Sequence, residues 1–379
     1  MTIFHTPIPL SLYIHIPWCV KKCPYCDFNS HEIKKPIAEE AYINALFQDL
    51  DAQLFLIEKR PIISIFFGGG TPSVFSPAGI ENILTGVEAR LAFHQHIEIT
   101  LEANPGTLDE NRFQGFKNAG INRLSIGIQS LQNDKLTTLG RIHNRDHALR
   151  AIENAIKAGF DSINVDLMYG LPGQTLIEAM QDLEDALHFQ LPHLSWYQLT
   201  IEPNTLFYHQ RPALPVDDTI ALIQSEGEKR LKAAGLYHYE VSAFAKKGFE
   251  CRHNTNYWEF GDYVGLGAGA HSKITHKDHI TRHSQLKHPA EYLNSASKKP
   301  LPLILQHSEI IFEFMLNALR LTAGVSMNLF QERTGIPLKT IEDILKKARD
   351  KKLLDQDPTI LRPTALGRQF LNDVVEMFL

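Results

Sequence analysis

The stretch Leu12-Tyr13-Ile14-His15-Ile16-Pro17-Trp18-Cys19-Val20-Lys21-Lys22-Cys23-Pro24-Tyr25-Cys26 decides how the rest of the chain is read. Residues 12–16 form a near-continuous apolar run of strand length, which Pro17 ends. Three thiols follow at once, in the spacing Cys19-x3-Cys23-x2-Cys26. In a parallel α/β barrel this is the start of the first βα loop, on the face where such folds keep their chemistry. Three soft ligands this close together suit zinc or an iron–sulfur cluster. A structural zinc site wants a fourth ligand, for which His15 and the remote Cys251 are the candidates. A cubane held by three cysteines instead leaves one iron open to a small molecule. Spacing alone leaves both readings open, together with the plain alternative of unrelated buried thiols.

Working outward, residues 63–67, 97–102, 123–128, 162–168 and 194–199 repeat the apolar pattern of the first strand. Helical stripes alternate with them. The first carries Ile43, Leu46, Phe47, Leu50 and Leu54, and others fall near 78–91, 108–119, 145–158 and 176–189. Six β-α units in series predict an α/β fold, a partial (β/α)6 TIM-like barrel over residues 1–210. A doubly wound open sheet is the competing layout. After Pro203 the rhythm changes. A helix is expected near 217–235, with extra strands and loops at 239–245 and 261–276, giving a β-containing extension over 211–300. A shift at Lys298-Lys299-Pro300 opens a third segment, 301–379, which reads helix, short helix, helix, short strand, helix. The stripe Ile341, Ile344, Leu345, Ala348 marks its third helix, and the pattern is that of a small winged-helix-like domain.

Composition excludes several classes. A chain of 379 residues buries a large core without staples, and four cysteines are too few for a disulfide scaffold. A net charge of -5 argues against a protein built to grip nucleic-acid phosphates. The basic run Lys346, Lys347, Arg349, Lys351, Lys352 reads as a solvated helix end that complements the helix dipole, and no nucleic-acid partner is expected. No apolar run is long enough for a membrane span. Residues 1–12 lack a basic n-region, and Pro7, Pro9 and Pro17 interrupt them, so no signal peptide is read. The expected compartment is the reducing cytoplasm, where clustered thiols are metal or redox ligands more often than bridges.

The spacing Cys-x3-Cys-x-aromatic-Cys, with Tyr25 as the aromatic residue, resembles the signature of the radical S-adenosylmethionine (SAM) proteins. The resemblance implies a 4Fe-4S cluster on Cys19, Cys23 and Cys26. It also implies SAM chelated to the open iron and an electron donor to the cluster. In that family the reduced cluster passes an electron to the sulfonium and releases a 5′-deoxyadenosyl radical. Other residues at successive strand ends then acquire roles. Gly68-Gly69-Gly70-Thr71-Pro72, a tight turn on the plain reading, resembles the glycine segment that meets the SAM amino group. Glu102, Gln129, Arg141 and Asp166 are singly unremarkable polar residues. Together they form a polar ring suited to a ribose and an amino acid. Acids accept from ribose hydroxyls, an arginine pairs with a carboxylate, and an amide does either.

Over nearly the whole chain the segments resemble the coproporphyrinogen III oxidase-like branch of that superfamily, the HemN and HemW group. This carries Tyr13, Tyr25, Gly69, Gly70, Thr71, Glu102, Gln129, Arg141 and Asp166 over as SAM contacts. Further matching stretches are Ser195-Trp196-Tyr197-Gln198-Leu199-Thr200-Ile201-Glu202-Pro203 and Gly265-Leu266-Gly267-Ala268-Gly269-Ala270-His271-Ser272. Two features separate the branches. The oxidases carry a long lead before the cluster strand, where about eleven residues precede Leu12 here. They also carry a further cysteine two positions after the third ligand, where Phe28 stands here. The second feature is Cys251-Arg252-His253-Asn254-Thr255-Asn256-Tyr257-Trp258, whose His-Asn-x-x-Tyr-Trp resembles the haem-associated motif of the HemW side. An imidazole ligates iron and aromatic residues suit a flat macrocycle. The haem set is therefore His253, Asn254, Tyr257, Trp258 and Cys251, with end-of-barrel packing as the plain alternative. The resemblance implies a haem chaperone that delivers haem to acceptor apo-haemoproteins, for example of the respiratory chain. The alternative is an oxygen-independent coproporphyrinogen III oxidase. It leaves open SAM cleavage, peripheral membrane association, and a monomer or homodimer.

Overall fold

A computed structural model describes residues 8–107, 109–294 and 300–379; residues 1–7 of the N-terminal reading, and Lys298 and Lys299 of the composition shift, lie outside them. The main sheet contains β1 (Leu10–Ile16), β2 (Ile62–Gly69), β3 (Phe93–Ala103), β4 (Arg123–Gln129), β5 (Ser162–Tyr169), β6 (His193–Gln198), β7 (Tyr237–Glu240), β8 (Ala243–Ala245), β9 (Asp262–Leu266), β10 (His271–Thr275), β11 (Ile280–Ser284) and β12 (Leu303–Ile304). Its order is β12-β11-β10-β9-β1-β2-β3-β4-β5-β6-β8-β7. Strands β1 to β6 lie side by side in chain order and pair in parallel throughout. No strand-order reversal interrupts them, which separates this layout from a doubly wound sheet. Both ends of the sheet are antiparallel edges, so the barrel stays open.

All six expected parallel strands are present. A seventh, β9, was not among them. It comes from the extension and pairs in parallel with the free side of β1, Leu10 opposite Asp262 through Ile14 opposite Leu266. The interior of β1 is therefore flanked on both sides, and Leu10, Leu12, Ile14 and Ile16 are fully buried.

Helices α1 (Glu39–Asp51), α2 (Pro77–Glu88), α3 (Glu110–Asn118), α4 (Arg145–Lys157), α5 (Leu176–Leu187) and α6 (Asp217–Ala233) cover the sheet where the apolar stripes place them. The α1 stripe ends earlier than expected, since Leu54 belongs to the separate short helix Leu54–Ile57. α4 shows the logic locally. Asn144 accepts from the His147 N–H at its start, and Ala148, Ala151, Ile152 and Ala155 bury one face. α7 (Arg252–Trp258) packs at the strand starts, where its residues bond Ser11, Ser64 and Glu98, while the cysteines follow the C-terminal end of β1.

The C-terminal segment contains α8 (His307–Ala318), α9 (Met327–Thr334) and α10 (Glu342–Asp350), and a two-strand wing pairs Val325–Ser326 with Ile360–Leu361. It packs around a second core that includes Phe314, Met315, Phe330, Ile341 and Leu345. Within the basic run, Arg349 donates to the carbonyls of Asp355 and Asp357. Among the described residues no helix is long and apolar enough to cross a membrane.

Candidate functional site

The cysteine loop leaves β1 at Pro17 and is closed on itself by a two-residue parallel ladder, Trp18–Cys19 with His31–Glu32. The Cys26 N–H donates to the Cys23 carbonyl at 3.2 Å, which turns the chain between the second and third thiols. Asn29 ties the loop to the extension by donating to the carbonyls of Ala268 and Lys287, both at 2.9 Å. Tyr25 packs against a satellite cluster of Leu139, Met168, Leu171, Leu199 and Phe207 at the strand ends. Burial there, above all, holds its phenol well above the usual tyrosine range.

The glycine segment at the end of β2 explains itself by close approach. The Gly70 and Thr71 N–H groups donate to the carbonyls of Ile16 and Trp18, each at 2.8 Å. A Cβ on Gly70 would lie 2.6 Å from the Trp18 carbonyl oxygen and 3.0 Å from the Cys19 sulfur. Gly69 has φ +118°, and a Cβ there would meet the His15 ring at 2.6 Å.

Above the sheet ends the polar ring is assembled. The Glu102 carboxylate accepts from the Gly69 N–H at 3.3 Å. Burial, and then the neighbouring Asp166, push its pKa up to about 8, against that one backbone donor. Asp166 accepts from Ser125 at 3.0 Å and from Asn164 at 2.8 Å, and burial raises it as well. Gln129 sits at φ +72°, and its amide oxygen accepts from the Tyr197 hydroxyl at 2.9 Å. Arg141 donates to the Gly127 carbonyl at 2.6 Å, lies 3.5 Å from the Cys23 sulfur, and keeps its buried Nε without a partner. The three loop cysteines, Tyr25, Gly69, Gly70, Thr71, Glu102, Gln129, Arg141 and Asp166 all line one cavity of about 390 Å³. Tyr13 does not. It lines an adjoining cavity and is hydrogen-bonded to His15 Nδ1 at 3.0 Å.

These residues fit a cluster better than a lone ion. Among the described residues no three of Cys, His, Asp and Glu converge as ligands of one ion. His15 is spent, its other ring nitrogen lying 2.8 Å from the Asn29 carbonyl, and Cys251 lies at the far end of the barrel. Three thiols on one loop, a glycine cradle against the first of them and a cation against the second remain. That donor set suits a 4Fe-4S cluster with one open iron.

The His-Asn-x-x-Tyr-Trp stretch divides by face. His253 is 1% exposed, with Nδ1 3.0 Å from the Ser64 hydroxyl and Nε2 2.9 Å from the Tyr257 hydroxyl. Burial and then Arg123 push its pKa down to about 3, so it is a neutral, fully bonded core imidazole. Cys251, also 1% exposed, lies beside Glu98, and burial pushes its thiol up to about 12. Both sequence-derived iron ligands are therefore closed in this structure. The physical reason is helix register: His253 and Tyr257, four apart, face the core, while Asn254 and Trp258, also four apart, face the cluster cavity. Tyr257 also lines the adjoining cavity. Arg123, Arg320 and Glu240, which line the cluster cavity, were not picked out from the sequence. For Arg123 the signal was present, a charge at the head of a buried apolar strand.

A model of the radical SAM superfamily matches residues 13–186, and a model of the HemN C-terminal domain matches residues 305–370. The chain is 48% identical to a protein of Haemophilus influenzae named heme chaperone HemW, with 98% of each chain covered. It is 46% identical to the Escherichia coli protein of that name, again over 98% of each. The chain belongs to the HemW family. The Bacillus subtilis HemW is 35% identical over 97% of this chain and 99% of its own. Among solved structures, coproporphyrinogen III oxidase (HemN) of E. coli superposes with a TM-score of 0.82 at 22% identity, over 98% of this chain and 90% of that one. At that identity the match establishes the shared fold. Membership of the radical SAM superfamily implies a 4Fe-4S cluster and SAM for this HemW family member.

Proposed function

We propose that this chain is a cytoplasmic haem chaperone: it binds haem and hands it to acceptor apo-haemoproteins. In this reading Cys19, Cys23 and Cys26 hold the cluster, and the polar ring holds SAM. The cluster, when bound, supplies one-electron reduction fed by an external donor. The observation that carries the reading, beside the names of the relatives, is the adjoining cavity of about 860 Å³. It meets the cluster cavity at Cys26, Phe28, Gly69 and Glu102. Its lining includes Tyr257, Tyr263, His271, Lys22 and Lys287, together with the acids Asp27, Glu102 and Glu202. Phe28, 64% exposed, stands at the junction. Aromatic faces, an open imidazole and two cations suit a flat, iron-bearing dicarboxylate. Burial holds the His271 pKa below its ordinary value, followed by the charges of Arg282 and Lys287, which favours the neutral, iron-binding form.

Haem titration of point variants tests this placement. His271→Ala is expected to shift the Soret band and weaken binding. His253→Ala is expected to leave the band in place while costing about 2–4 kcal/mol of stability, because Ser64 and Tyr257 lose their buried partner. A shifted band in His253→Ala with an unchanged one in His271→Ala would return the ligand to the motif.

A further inference from the structure

Arg123 heads β4 at the end of the barrel that α7 closes. Gln129 ends the same strand, about 20 Å away at the rise of an extended chain. Arg123 is 3% exposed, yet it lines the cluster cavity, and its guanidinium makes no hydrogen bond or ion pair with any described residue. A buried cation without an acceptor is expensive. The carboxylates in range are spent elsewhere. Glu98 takes the N–H groups of Arg252 and His253 and the Cys251 thiol at the start of α7, and Asp166 takes Ser125 and Asn164. Two more donors in the same cavity wall lack acceptors, the buried indole Nε1 of Trp258 and the buried Nε of Arg320. Arg320 stacks 4.2 Å over the Trp258 ring and pairs with Glu240 at 3.1 Å. That pair cancels, and Glu98 and Asp166 act on Arg123 only at a distance, so the floor keeps a guanidinium with no hydrogen-bonding acceptor, ringed by donors. Planar guanidinium groups with a neighbouring amide and indole match the geometry of a carboxylate monoanion.

We propose that the barrel floor is a carboxylate-binding subsite, in which Arg123, Asn254, Trp258 and Arg320 hold the carboxylate of a ligand lying inside the barrel. It is distinct from the site of the SAM amino-acid end, which belongs with the cysteines at the other end of the strands. It also gives the second face of the His-Asn-x-x-Tyr-Trp motif a role: His253 and Tyr257 anchor α7, and Asn254 and Trp258 meet the ligand. The carboxylate comes from a small free acid or from a haem propionate; the second source rests on the function proposed above.

The test uses the full-length, anaerobically cluster-reconstituted protein labelled with 5-fluorotryptophan, which gives one fluorine signal for each of Trp18, Trp196 and Trp258, the last assigned through Trp258→Phe. Propionate should move the Trp258 signal saturably with a Kd of about 1–10 mM, and Arg123→Gln or Asn254→Ala should weaken this at least about tenfold. A Trp258 shift with haem, but not with its dimethyl ester, assigns the source to the macrocycle; a shift with propionate alone assigns it to a small acid. If wild-type protein fails to take up haem, the chaperone reading falls while the propionate titration still decides the subsite. A Trp258 signal unmoved by haem and by propionate up to about 100 mM, or moved equally in Arg123→Gln, overturns the subsite.

Discussion

Gly70→Ala is expected to strip the protein of most of its iron while all three cysteines remain. The added methyl would sit 2.6 Å from the Trp18 carbonyl oxygen, closer than real Cβ atoms come to backbone, and 3.0 Å from the Cys19 sulfur, a tight contact. The loop must move, because the Gly70 and Thr71 N–H groups pin the same segment to Ile16 and Trp18. Gly70 itself has an ordinary φ, so the defect is one of space rather than backbone strain. Displacing a supporting shell typically weakens metal retention about ten- to a hundredfold. Cys19→Ala sets the lower limit, with no brown chromophore and no bound iron. Iron and sulfide analysis after anaerobic reconstitution, with circular dichroism to confirm folding, makes the comparison. Wild-type iron content in a folded Gly70→Ala protein would show that the glycine segment does not shape the cluster loop.

Glu102 gives the second large effect, read through pH. Its carboxyl is pushed up to about 8, so at neutral pH it is mostly protonated in the ligand-free protein. A ligand that brings ribose hydroxyl donors and a sulfonium charge favours the carboxylate. Binding then releases a proton. SAM affinity should rise about tenfold per pH unit as pH approaches 8 and level off above it. Glu102→Gln should flatten the profile and weaken binding at high pH about ten- to a hundredfold, the worth of a hydrogen bond to a charged group. Stability should move the other way. A carboxyl whose folded pKa lies above its unfolded one stabilises the fold at low pH and loses that contribution as pH rises through about 8. The glutamine variant, without ligand, should therefore melt higher than wild type above that pH. Equilibrium SAM binding and thermal melts between about pH 6 and pH 9 settle the matter; a flat wild-type affinity would place the carboxyl outside the ligand's reach.

The parts of the fold legible in the sequence are those in which local pattern and final environment agree. Parallel strands covered by helices read as continuous apolar runs, which is why β1 to β6 were found close to their observed bounds. β9 was missed as a parallel strand because its partner lies some 250 residues earlier in the chain and nothing local in Asp262-Tyr263-Val264-Gly265-Leu266 announces that pairing. The cysteine loop was legible as a candidate metal site because three thiols stand close together, while the family resemblance rather than the spacing favoured a cluster over zinc. The His-Asn-x-x-Tyr-Trp stretch was legible as a motif but not as geometry. Sequence spacing shows that His253 and Tyr257 share one helix face and Asn254 and Trp258 the next, but not which face meets the core. Arg123 was passed over although its charge at the head of an apolar run is plain in the sequence. An arginine opening a strand looks like a solvated strand end, and only the closed floor of the barrel makes it an unpaired buried charge.

The family and the fold pull toward two chemistries, since the relatives of high identity are named haem chaperones while a coproporphyrinogen oxidase shares the architecture. The most direct measurement gives the anaerobically reconstituted protein haem, SAM, a reductant and coproporphyrinogen III. It follows the Soret band, transfer to an added apo-haemoprotein and porphyrinogen decarboxylation in one experiment. Haem uptake and transfer with no decarboxylation is the result expected here. Sustained conversion to protoporphyrinogen, without stable haem binding, would contradict it and make the chain an oxidase.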